Sequence, residues 1–117
     1  MSRQRQEKVA EALRDEIAEI LGNLKDPRIG FASVVRVEVS PDLRYARVYV
    51  SVLGDEKQKA NTMEGLRSAR GFIRAEVGRR VRLFRTPEVD FRLDESLEKG
   101  AGVLNLLRQV TPGEAER

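Results

Sequence analysis

Hydrophobic positions along the chain change rhythm repeatedly, and each change marks an element. Val9, Leu13, Ile17, Ile20 and Leu24 step by three and four residues, which predicts an amphipathic helix over residues 3–22. Gly22-Asn23 reads as its cap, in residue types that tolerate positive φ. "KDPRIGF", Lys25 to Phe31, is a connecting turn, because Pro27 cannot continue a helix. From Ser33 the period becomes two. Val35, Val37 and Val39 share a face opposite Arg36 and Glu38. After the turn "SPDLR", Ala46, Val48, Val50 and Val52 alternate with Tyr45, Arg47, Tyr49 and Ser51. These strands predict an antiparallel hairpin with one wet face.

Helical spacing returns after Gly54. Ala60, Met63, Leu66 and Ala69 mark one helix, and Phe72, Ile73, Val77 and Val81 continue on a shifted face, with Gly71 at the shift. A strand follows Pro87, with Val89, Phe91 and Leu93 inward. Leu97, Val103, Leu104 and Leu107 predict a final helix, weakened at its start by Gly100 and Gly102. No repeat or linker divides the chain, so residues 1–110 read as a single domain and 111–117 as a short polar, disordered tail. The order is helix, strand, strand, helix, kink, helix, strand. Helices laid on the apolar face of a three-stranded sheet make an α+β fold, and this order is the type II KH-like topology of RNA-binding domains.

Composition removes most chemistry. The 117 residues suffice for one core. With no cysteine and no histidine, the chain lacks thiolate nucleophiles, zinc–sulfur sites and the commonest general base and metal ligand. No apolar run approaches the length of a membrane span, and the N-terminus has no signal-peptide h-region, so a cytoplasmic protein is expected.

Charge then singles out one stretch. The net charge is +3, yet acids and bases balance through residue 66. Residues 67–85, "RSARGFIRAEVGRRVRLFR", carry seven arginines against Glu76 alone. A solvated helix face would interleave acids, as residues 1–21 do. The local excess points instead to a polyanion. Other candidates are weaker. Asp90 and Asp94 read as solvated edge charges, and Gly100-Ala101-Gly102 lacks the context of a phosphate loop. Tyr45 and Tyr49 on the wet face are candidates for base stacking, although cross-strand packing is their commoner use.

Three stretches in register carry a resemblance: "LKDPRIG" after the first helix, "VEVSPDLRYARVYVSVLG" across the hairpin, and "ARGFIRAEVGRRVRLFRTPEVDFRLDESLEKG". From about Arg3 to about Leu107 the chain resembles the bacterial ribosome-binding factor A family. The resemblance implies a non-enzymatic, cytoplasmic assembly factor that binds the free small (30S) ribosomal subunit and 16S rRNA. It further implies a late role in maturation, including processing of the 16S rRNA 5′ end, and a part in cold adaptation. A ribosome-associated GTPase is a candidate partner for release; no membrane, cofactor or metal is expected, and the protein is expected to be a monomer.

Ordinary KH domains clamp nucleotides with a GxxG loop, and none occurs here. The family has an Ala-x-Gly kink, which Ala69-Arg70-Gly71 matches. Gly71 is expected to supply backbone geometry that other residues resist, and the bend to aim Arg70, Arg74 and the arginines beyond Gly78. The expected RNA contacts are Lys25, Arg28, Arg70, Arg74, Arg79, Arg80, Arg82 and Arg85. The alternative is a protein-interaction module whose basic face docks on an acidic partner.

Overall fold

A computed structural model describes residues 3–96. Helix α1, Arg3–Gly22, buries Val9, Leu13, Ile17 and Ile20, as its spacing requires, and Leu21 beside them. Its end differs from the expectation, because neither Gly22 nor Asn23 takes positive φ. The Asn23 side-chain amide instead donates to the Glu19 carbonyl at 3.2 Å. The backbone amides of Asn23 and Leu24 donate to Ile20 and Leu21, closing the last turn tightly.

Strands β1, Ala32–Val39, and β2, Tyr45–Val52, pair antiparallel, with Val37 opposite Val48 and Val39 opposite Ala46. The simple alternation expected from Ser33 onward does not hold throughout. Val34 pairs with Val50 and Arg36 with Tyr49, so Val35 is the extra residue of a β-bulge. The bulge shifts the phase by one. Val34, not Val35, packs against the core ahead of Val37 and Val39.

The turn between the strands is closed by the Leu43 amide donating to Ser40 O at 2.8 Å. Ser40 Oγ donates to Asp42 and accepts from the Tyr45 amide. Leu43 sits at φ 60°, the only non-glycine residue at positive φ among those described, and its side chain is buried. A leucine in this region is disfavoured by about 1–2 kcal/mol, which its burial offsets.

Strand β3, Glu88–Leu93, lies parallel to β2, with Phe91 opposite Val48, and the sheet order is β1-β2-β3. Parallel neighbours need a long crossover, supplied by α2, Glu56–Ser68, and α3, Arg70–Arg80. Asp55 starts α2 with a reciprocal capping box to Gln58. The preceding Gly54, at φ +136°, lies where a Cβ would collide with the Gln58 side chain.

All three helices cover one face of the sheet. There Leu13, Ile17, Val48, Val50, Leu66, Ile73, Val77 and Phe91 are essentially inaccessible. Lys59 of α2 is also buried, its ammonium 3.2 Å from Glu95 just beyond β3. The element order is the one the periodicity predicts, and it is compatible with a type II KH arrangement. The expected final helix over Leu97–Leu107 and the 111–117 tail lie outside the described residues.

Candidate nucleic-acid interface

The arginine-rich stretch spans the junction of α2 and α3. A single non-helical residue, Ala69 at φ −86° and ψ 1°, separates the two. The ladder persists across it, since Ala69 N donates to Gly65 O and Ile73 N donates to Ala69 O. The buried stripe continues through Met63, Leu66, Ala69, Ile73 and Val77. The break therefore falls at Ala69, where a small side chain is packed against the core.

Gly71 does not play the part the sequence suggests. It lies inside α3 without positive φ, and a Cβ there would meet nothing within 4 Å. Phe72, expected to continue the apolar face with Ile73 and Val77, is 57% exposed. The close approach belongs to Gly65, where a Cβ would stand 2.7 Å from Ile29 Cγ1 and 3.4 Å from Arg28 Cβ. Thr62 holds the same loop: its hydroxyl accepts from Gly30 N at 3.1 Å and donates to Arg28 O at 3.4 Å. Residues 28–30 are thus clamped on α2, beside the helix break. Periodicity does not reveal Gly65, because a glycine in a helix reads only as weak propensity.

Fold sorts the expected arginines into two groups. Arg80 faces α1, with Glu16 at 3.3 Å, Glu76 at 3.8 Å and Glu19 in direct contact. Arg79 pairs with Glu76. Arg74 keeps its charge but donates to the Thr86 and Pro87 carbonyls, strapping α3 to the entry of β3. Arg28 grips Asp26, with Nη2–Oδ2 at 2.8 Å and Nε–Oδ1 at 3.2 Å. These bonds hold the Asp26 carboxyl below its ordinary pKa.

The second group is open. Arg70, Arg82 and Arg85 are exposed and make no ion pair or side-chain hydrogen bond with another described residue, and neither does Arg67, the arginine of the basic stretch that the expected contacts omitted. Lys25 is exposed on the loop clamped to α2.

The uncovered sheet face is charged but nearly balanced. The Arg36 guanidinium lies 3.9 Å from the Tyr49 ring centroid, while the Tyr49 hydroxyl donates to Glu38. Asp90 bonds Arg92 and Asp94 bonds Arg36, so the two aspartates do not form a carboxylate pair. Tyr49 is engaged on that face, and Tyr45 is 58% exposed. A fully exposed aromatic, Phe84, stands between Arg82 and Arg85, and no periodicity in the sequence marks it.

An α+β fold with a kinked helix pair and unneutralised arginines invites comparison with known proteins. The family model described as "Ribosome-binding factor A" matches residues 5–107. The chain belongs to the ribosome-binding factor A family. It is 55% identical over 111 residues to the ribosome-binding factor A of Halothermothrix orenii, covering 94% of this chain and 91% of that protein. The fold is similar to the crystal structure of ribosome-binding factor A from Thermus thermophilus, with a TM-score of 0.71 at 27% identity over 78% of this chain and 97% of that one. It is also similar, with a TM-score of 0.61 at 30% identity, to a Thermus thermophilus ribosome binding factor A homology model fitted into the cryo-EM map of a 30S–RbfA complex, over 72% of this chain and 89% of that one. Among the described residues, no helix is long and apolar enough to cross a membrane.

Proposed function

We propose that this chain is a non-enzymatic assembly factor that binds the free small ribosomal subunit through 16S rRNA. The observation that carries this reading is the set Arg67, Arg70, Arg82 and Arg85, exposed and unneutralised by any described carboxylate. Such groups attract phosphate and release counterions on contact. The Thermus thermophilus relative, fitted as a 30S–RbfA complex, supports the small subunit as the partner.

Binding takes the place of chemistry. With no histidine or cysteine in the chain, the arginines neutralise phosphates and hold RNA segments together during late maturation. Processing of the 16S rRNA 5′ end follows from the conformation so stabilised and is carried out by other proteins. Part of this reading is a cytoplasmic monomer, important in the cold, released with the help of a ribosome-associated GTPase.

The test is pelleting of the purified protein with free small subunits, with joined ribosomes and with protein-free 16S rRNA across a salt series. Binding to free subunits and naked rRNA that falls steeply with salt supports the proposal. Salt-insensitive pelleting overturns it, and subunit binding with no binding to naked rRNA assigns the contact to a ribosomal protein and overturns it too.

A further inference from the structure

Three separate elements border an open hollow of about 500 Å³, of the size that small ligands occupy. The start of α1 contributes Arg5, the β1–β2 turn contributes Pro41 to Arg44, and the connection between α3 and β3 contributes Leu83, Phe84 and Arg85. The last two elements are joined by the Glu88 amide, which donates to Arg44 O at 2.8 Å. Leu43, held at φ 60° with its side chain buried, forms part of the floor.

Phe84 has no packing role that explains it. Its neighbour Leu83 packs against the core, whereas Phe84 is fully exposed beside the hollow. The rim is basic, with Arg5, Arg44 and Arg85 against Asp42. Asp42 is committed to the turn, its Oδ1 accepting from the Ser40 hydroxyl at 2.7 Å and the Arg44 amide at 3.1 Å, while its Oδ2 pairs with the Arg44 guanidinium at 3.9 Å and leaves Arg85 as the rim's unneutralised charge. An aromatic face beside a net positive rim is the chemistry that takes a base and its phosphate: any base stacks on a ring, and arginine holds the backbone. A protein partner of acidic character would use the arginines and leave the ring unexplained.

We infer that this hollow is a subsite for an unpaired nucleotide, with Phe84 as the stacking platform and Arg85 at the flanking phosphate. The inference rests on the RNA-binding reading above and deepens it: the chain engages an unpaired base as well as rRNA phosphates.

Fluorescence anisotropy of a short labelled single-stranded RNA, and of the same RNA with abasic nucleotides, tests this with the full chain and its Phe84→Ala and Phe84→Trp variants. Phe84 is exposed, so circular dichroism should show all three folded. Phe84→Ala is expected to weaken binding of the intact RNA by about 5- to 150-fold, the usual span for losing one stacking aromatic. Phe84→Trp should retain it, and the abasic RNA should bind wild type about as weakly as the intact RNA binds Phe84→Ala. Equal affinity of wild type and Phe84→Ala, or of intact and abasic RNA, overturns the subsite.

Pelleting with small subunits in the same buffers separates the two claims. Failure of wild type to pellet sinks the RNA-binding reading itself, whereas normal pelleting with no effect of Phe84 on either RNA sinks only the subsite. A Phe84→Ala protein that loses subunits but keeps single-stranded RNA places a ribosomal protein on the ring, and that too overturns it.

Discussion

Arg80 and Arg82 are two residues apart and equivalent on the charge map, yet the fold gives them opposite surroundings. Arg80 and its neighbour Arg79 face Glu16, Glu19 and Glu76, whereas Arg82 and Arg85 face no described carboxylate. Two double variants, Arg82→Gln with Arg85→Gln and Arg79→Gln with Arg80→Gln, remove equal charge from adjacent segments. If Arg67, Arg70, Arg82 and Arg85 each reach a phosphate, log K should fall against log salt with a slope of about −2.8 to −3.6, at about 0.7 to 0.9 per contact. A fourfold rise in salt then weakens wild-type binding by roughly 50- to 150-fold. Losing two contacts brings the slope to about −1.4 to −1.8 and the loss to about 7- to 12-fold. Arg79 and Arg80 release few counterions, because protein carboxylates already neutralise them, so the variant lacking them should keep the wild-type slope within about 0.5. Exposed ion pairs contribute little to stability, so both variants should remain folded by circular dichroism. The assay is pelleting with purified small subunits over a salt series. Equal flattening by the two variants would refute the sorting by neutralisation, and no flattening by either would remove residues 67–85 from the interface.

Core and backbone make their own expectations. Phe91→Ala, at a ring only 1% exposed in the middle of the covered face, should cost about 3–5 kcal/mol, a large part of the reserve of a small domain; an unchanged denaturant midpoint would place the ring outside the core. The two helix glycines should behave oppositely. Gly71→Ala should stabilise by about 0.5–1 kcal/mol, since it meets open space in a regular helix. Gly65→Val should destabilise by about 1–3 kcal/mol through collision with Ile29. Matching thermal shifts for the pair would contradict the clamped loop. The Asp94 carboxyl, nearly enclosed, is held below its ordinary pKa first by the Ser96 hydroxyl, then by the Ser96 amide and Arg36. A depressed folded pKa adds stability above the unfolded value of about 3.9 that is lost as pH falls through the folded one. Asp94→Asn should therefore lower the melting temperature at neutral pH and make its decline below about pH 4 shallower; parallel melting curves for the two proteins across that range would count against it.

Local periodicity is enough for much of this fold. The three- and four-residue steps of Val9, Leu13, Ile17 and Ile20, the alternation of Ala46 to Val52 and the inward Val89 and Phe91 place α1, β2 and β3. Each element hides one face, and burial follows from that requirement alone. Features that depend on two distant segments meeting escape any such reading. The bulge at Val35 exists only relative to β2, and the phase change it imposes is invisible until Val34 and Arg36 find Val50 and Tyr49. Gly65 is needed because Ile29 lies against it, and Gly71, which a motif singles out, faces open space. Charge follows the same rule. The excess over residues 67–85 is a property of composition and points to a polyanion unaided. Which arginines remain available is decided by where α1 brings Glu16 and Glu19 and where the entry of β3 offers its carbonyls to Arg74. A side chain's charge is local, but its neutralisation belongs to whatever the fold sets beside it.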